Sequence, residues 1–306
     1  MELNRSKIEL LKAIVEGSRT RKEIAKATNL SINRCSEILI ELEKDGFITR
    51  KRINKRLVIE IAYLPYAQQF KELAISSSAF KIEDFLTGIR FRILSCCLLG
   101  WKTTKDIAEQ LGIALTTVQN NIGMLQDRGL LMVEKRRYKF DRKAWPKVYS
   151  FLYAYRTFSS LMIDVLWKFE DEILFEVNEE QQIKGSLTGF SAYGQYGVKI
   201  RNVKYYCHLP EKKLGKEEIF IHSLLQIRDD TRSLDLAIVF YIKNKLDNKK
   251  LTKLAVIHDL YPVLQDFLYV IQTSKSTTIE RIMPKILPID SRKEIEETLR
   301  LYNTKW

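Results

Sequence analysis

Apolar residues recur with helical spacing at Ile8, Leu11, Ala13-Ile14 and Val15, and Gly17-Ser18 closes that element. Thr20, with Glu23 three residues on, predicts a capping box opening a short helix that buries Ile24, Ala25 and Ala27 and ends near Thr28. Ser31 predicts the cap of a third helix whose buried stripe is Ile32, Cys35, Ile38-Leu39 and Leu42. Asp45-Gly46 stops it, and Phe47-Ile48 opens a strand entering a basic hairpin.

The same decisions return without a gap 83 positions later, residues 8–48 reappearing as 91–131. The shift carries Leu11 onto Leu94, Gly17 onto Gly100, Thr20 onto Thr103, Ile24-Ala25 onto Ile107-Ala108, Leu42 onto Leu125 and Gly46 onto Gly129. Thr103 or Thr104 is expected to cap the short helix and Gly112 to make the turn. Leu115, Val118, Ile122 and Leu125 supply the second stripe. Agreement at apolar positions with few identities indicates two long-diverged copies of one unit.

Outside the copies, residues 65–88 read as a linker helix followed by a cap or hinge at Ser76-Ser77-Ser78. Residues 146–170, introduced by Trp145-Pro146, read as a connecting helix or a dimer seam. Its aromatic residues Tyr149, Phe151, Tyr153, Tyr155, Phe158 and Trp167 are assigned to core packing rather than base stacking. In residues 171–306, Ser186 or Thr188 opens a short helix reaching Tyr196, strands are expected at 203–208, 219–222 and 236–242, and helices at 249–272 and 291–302. The expected fold class is α+β, with the two copies at 1–64 and 89–145 followed by a mixed α+β effector or dimerisation domain.

The net charge of +13 follows the copies: +5 for residues 1–62, +7 for 63–160 and +1 for the remainder. Solubility does not require that distribution, whereas a polyanion partner does. On the face opposite each apolar stripe lie small polar and amide side chains of the kind that reach base edges in a major groove. These are Asn33, Arg34 and Ser36 in the first copy and Thr116, Thr117, Gln119 and Asn120 in the second. Arg34 suits guanine; Asn33, Gln119 or Asn120 suits adenine. Beside each helix a hairpin offers cations to phosphates: Arg50, Lys51, Arg52, Lys55 and Arg56, then Lys135, Arg136, Arg137 and Lys139.

Ile24-Ala25 through Gly46-Phe47-Ile48, and Ile107-Ala108 through Gly129-Leu130-Leu131, resemble the pattern of bacterial and archaeal winged helix-turn-helix transcription regulators. The resemblance implies a double-stranded DNA partner and a regulator, here of the repressor kind, made as a homodimer. Two non-equivalent recognition helices imply two unlike contacts on an asymmetric half-site. Ser186-Leu187-Thr188-Gly189-Phe190-Ser191-Ala192, with Tyr196-Gly197 and Ile219-Phe220-Ile221-His222, is similar to the effector region of AbiEi-type antitoxins. That similarity implies a protein partner such as a toxin. A replication or chromosome-associated factor and a protein-assembly scaffold are the alternatives from other classes.

Enzymatic readings find little support. From Leu187 through Leu209 there is no Asp or Glu to hold the metal pair a nucleotidyltransferase needs after Gly185-Ser186. A nuclease built on Asp229, Asp230 or Asp235 finds no further carboxylate along residues 236–242 before Lys243 or Lys245. His208, His222 and His258 lack ligand spacing, so neither a metal nor another cofactor is expected. Cys35, Cys96, Cys97 and Cys207 lack CxxC spacing and read as buried thiols. Residues 1–18 lack a signal-peptide core and no stretch approaches a membrane span, so a cytoplasmic protein without membrane contact is expected.

Overall fold

Asn4 accepts a hydrogen bond from the Lys7 amide and starts α1 (Arg5–Val15). At α2 (Arg21–Ala27) the Thr20 hydroxyl accepts from the Glu23 amide while the Glu23 carboxylate accepts from the Thr20 amide, which completes the expected capping box. Asn29 turns the chain in the left-handed region, and Ser31 caps α3 (Ile32–Lys44), whose Cys35, Ile38, Leu39 and Leu42 are buried. The hairpin β1 (Ile48–Ile53) and β2 (Arg56–Ile61) follows, and then α4 (Pro65–Ser76). A third segment joins the hairpin where the Ile59 amide donates to the Arg19 carbonyl at 2.8 Å.

The second copy repeats this construction, at the same shift as far as the start of its hairpin and two to four residues less beyond it. After a 3-10 turn at Ile82–Asp84 come α5 (Gly88–Cys96), β3 (Lys102–Thr103), α6 (Thr104–Leu111), α7 (Leu115–Asp127), β4 (Leu131–Glu134), β5 (Arg137–Phe140) and α8 (Pro146–Thr157). Thr103 and Asp106 form the capping box, and Gly112, at φ +64°, stands where Asn29 stood. Lys102 pairs with Tyr138 as Arg19 meets Ile59, since Ile48↔Ile61 and Leu131↔Phe140 are the matching ends of the two hairpins. The first hairpin carries six residue pairs and the second four. Ala114 replaces Ser31, so α7 begins without a side-chain cap.

These copies share one core. Phe151 of α8 lies 6.5 Å from the Phe47 ring, 5.6 Å from Phe70 of α4 and 6.5 Å from Phe91 of α5. Lys12 and Glu83 at 3.6 Å, and Arg128 and Asp84 at 2.9 Å, tie both copies to the intervening 3-10 turn. The chain divides into two units, Met1–Phe158 and Ser159–Trp306. Of these, residues 3–53, 56–76, 81–158, 164–178, 185–200, 204–227, 231–273 and 292–303 are described by the computed structural model.

The expected helix over 146–170 is corrected: α8 stops at Thr157, and β6 (Asp164–Phe169) is a strand of the second unit. Trp167 and Phe169 are buried at alternate positions, a period of two that the dense aromatic run obscures. β6 joins β7 (Glu172–Val177), β8 (Ser186–Leu187) and β9 (Tyr205–Leu209) in an antiparallel sheet of order β6-β7-β9-β8. A 3-10 helix, Gly189–Tyr196, and then α9 (Lys216–Leu224), α10 (Thr231–Asn244), α11 (Asn248–Ile257), α12 (Tyr261–Thr273) and α13 (Arg292–Leu301) complete the unit.

The strands expected at 219–222 and 236–242 are therefore helices, within α9 and α10. Ile219, Phe220 and Ile221 are all buried, as are Ala237, Ile238, Val239 and Phe240. A helix enclosed on every side presents the same continuous apolar run as a buried strand. Gly189, in the left-handed region, is required by packing: a Cβ there would collide with Gln226, whose Oε1 accepts from the Phe190 amide at 3.1 Å. Tyr193 and Ser223 hydroxyls meet at 2.6 Å beneath it. All four cysteines are free and buried.

Candidate nucleic-acid interface

The polar residues expected on the recognition faces are solvent-facing in both copies, because the apolar stripe of each helix is turned inward against its own module. The two faces are nevertheless in different states. On α3, Arg34 Nη1 donates to Glu37 at 2.8 Å, and Ser36 accepts from Arg21 Nη1 at 3.2 Å while donating to the Ile32 carbonyl at 2.8 Å. Asn33 is exposed. On α7, Thr116, Thr117, Gln119 and Asn120 are exposed, and none of their side chains is held by a hydrogen bond among the described residues. Asn121 is spent structurally, accepting from Arg90 at 3.2 Å and donating to the Thr117 carbonyl at 2.8 Å.

The hairpins differ as well. In β1, Arg50 pairs with Ile59 on the inward face that also carries Ile48 and Ile61. Its side chain is 25% exposed and meets Glu43 at 3.2 Å, which braces the wing against α3. Lys51 points the other way, 5.4 Å above the Tyr63 ring and 3.9 Å from Glu60. Arg52 is exposed. Lys55 and the side chain of Arg56 lie outside the described residues. In the second hairpin Lys135 and Arg136 form the two-residue turn, both at positive φ, flanked by the Glu134↔Arg137 pair. Lys135, Arg136 and Arg137 are exposed, and Lys139 is partly buried opposite Met132.

Three features escaped sequence reasoning. Arg21 and Lys22, at the start of α2, line a groove of about 720 Å³ with Thr20, Ser36, Ile40 and Arg50, adding cations between α2, α3 and the wing. Lys22 and Lys105 occupy equivalent positions and are both exposed, a match the repeat itself makes visible. Ile32 and Leu115 also correspond and are each 44% exposed at the first position of their helices. They belong to the outer surface more than to the buried stripe. A nuclease arrangement gains nothing: Asp229 and Asp230 lie outside the described residues, and Asp235 sits on α10, a helix where a strand was expected.

At the foot of the first wing, the Tyr66 hydroxyl donates to the Asp45 carbonyl at 2.7 Å, fixing the turn between α3 and β1. Burial, reinforced by Asp45, pushes that phenol up to about 12. Lys7 reaches Glu41 at 3.0 Å and Asp45 at 3.1 Å from α1. Burial lowers its pKa, but the two carboxylates overcome this and leave it raised.

No helix among the described residues is long and apolar enough to cross a membrane. No curated protein and no solved structure matches the chain. Residues 3–49 match a family described as winged helix-turn-helix DNA-binding. Helices α1, α2 and α3 with the entry to the first wing are thus a winged helix-turn-helix domain of DNA-binding type.

Proposed function

We propose that residues 1–158 form a sequence-specific reader of double-stranded DNA carrying two winged helices in tandem, at 1–64 and 89–145, and that the chain is a transcription regulator acting as a repressor. The observation that carries this reading is the equivalence, at one constant shift of 83, of the capping boxes and the left-handed turns, together with the Arg19–Ile59 and Lys102–Tyr138 cross-links, which hold matching places in two hairpins of different length. Beside each recognition helix stands a basic hairpin, and nearly all of the excess positive charge lies in this unit. The helices supply specificity, with Ile32 and Leu115 suited to thymine methyl groups. Arg52, Lys135, Arg136 and Arg137 supply affinity through phosphates.

The near-neutral second unit serves as the effector half, pairing two copies or binding a ligand or a protein partner. The Ser186–Ala192 resemblance supports an antitoxin-like partner. Fluorescence anisotropy with duplex DNA across about 50 to 200 mM salt tests the reader: affinity should fall steeply with salt, by roughly 0.9 log units per log unit for each phosphate contacted. A salt-independent affinity overturns it.

A further inference from the structure

We propose that the second unit binds a divalent transition-metal ion of the zinc class through His222, His258 and Glu218. The three histidines of the chain, which stand far apart in sequence, converge here on different elements. Glu218 and His222 are one turn apart on α9 and share a face. His258 caps the C-terminus of α11 and brings its Nε2 to 3.3 Å from Nε2 of His222. In tetrahedral zinc sites, metal–nitrogen bonds of about 2.0–2.1 Å place two nitrogen donors roughly 3.3–3.4 Å apart. The imidazole pair already spans one edge of such a tetrahedron.

The donor atoms of Glu218, His222 and His258 all lie within 4.8 Å of one another, so on binding, a Glu218 oxygen would move in toward the imidazole pair while Lys212 holds Oε1. Surrounding groups orient the donors as outer-shell partners do in metal sites. Buried Thr188 meets Nδ1 of His222 at 2.7 Å; when Nδ1–H donates to that hydroxyl, the Nε2 lone pair faces the centre. His208 stacks parallel to His222 at 5.8 Å and donates from Nδ1 to the Pro210 carbonyl at 2.9 Å. Lys212 bridges Glu172 at 2.8 Å and Glu218 at 3.0 Å, holding the carboxylate at the rim. Glu218 is 20% exposed, which gives an ion a way in from solvent. Two imidazoles and one carboxylate select zinc, cobalt or nickel over magnesium or calcium, and three protein donors leave a fourth position for water or a ligand.

The rival arrangement is an ion-free pair in which one Nε2–H donates to the other imidazole. To separate them, the full chain is stripped with chelator and titrated with Zn²⁺ against a chromogenic chelator, and with Co²⁺ by absorption. The expected result is roughly one equivalent per chain and a tetrahedral Co²⁺ spectrum without a thiolate charge-transfer band. His258→Gln and Glu218→Gln should weaken binding by about 100-fold or more, and Thr188→Val by about 10- to 100-fold. No retained ion, an octahedral or thiolate Co²⁺ signature, or unchanged affinity in both ligand variants overturns the proposal. Should the variants fail to fold, the Co²⁺ spectrum of the unaltered chain decides between the two.

Discussion

Arg34 donates to Glu37 at 2.8 Å along the outer face of α3, while Thr117 and Asn120 hold the corresponding positions of α7. The outer face of α3 is thus partly self-neutralised, and under the proposed reading Glu37 would face the polyanion. Glu37→Gln should leave folding stability within about 1 kcal/mol, because exposed ion pairs contribute little. Removing the repulsion should tighten DNA binding about fivefold at low salt, on the order of 1 kcal/mol for one charge near a phosphate in water. Anisotropy titration measures it; weaker binding would mean that Glu37 itself contacts a base.

Ile32 and Leu115 should contact thymine methyls. Replacing thymidine by deoxyuridine across the bound site should weaken the native protein about fourfold per methyl contacted, at roughly 0.8 kcal/mol per buried carbon. An Ile32→Ala, Leu115→Ala double variant should bind both duplexes alike. Equal binding of the two duplexes by the native chain would remove these residues from base readout.

Under the proposed reading, the Lys135-Arg136 turn sets stability against binding. Left-handed backbone costs a non-glycine residue roughly 1–2 kcal/mol, and an Asn-Gly pair suits this turn type. Lys135→Asn with Arg136→Gly should therefore raise the melting temperature of the first unit while lowering the salt slope of DNA binding by about 1.8 for two lost phosphate contacts.

Phe151→Ala removes the ring that touches Phe47, Phe70 and Phe91 together. The cost should be about 3–5 kcal/mol, read by chemical denaturation of the full chain. A loss below about 1 kcal/mol would show that the copies are held together elsewhere.

Alkaline pH should loosen the first wing. Tyr66 is raised to about 12 in the folded chain and Lys7 is also raised, so both groups hold their protons more tightly folded than unfolded. Their stabilisation is complete below about pH 10 and is lost as pH climbs toward 12, on the order of 2 kcal/mol for the phenol. Melting curves from pH 8 upward should show the decline, and Tyr66→Phe should flatten it.

What the sequence made legible is local. Thr20 with Glu23, Thr103 as a cap, Ser31 as a cap and Gly112 at a turn act within a few residues of themselves, so pattern alone reveals them. Arg50 was hidden because a run of Arg, Lys and Arg carries no phase; only its pairing with Ile59 turns it inward. The helices α9 and α10 were hidden by being enclosed on all sides, which erases amphipathic period. His222 and His258 meet only because α9 and α11 pack, a tertiary event with no signal in residue spacing.

The aromatic core around Phe151 holds both copies on one packed centre. Readers joined by a slack tether accept variable gaps between their subsites; under the proposed reading, α3 and α7 hang from one packed centre and would work as a caliper set to a single opening. Each inserted base pair moves a subsite by about 3.4 Å and turns it by a tenth of a helical repeat. One base pair added between the two half-contacts should thus weaken simultaneous engagement, whereas readers on a slack tether would tolerate it.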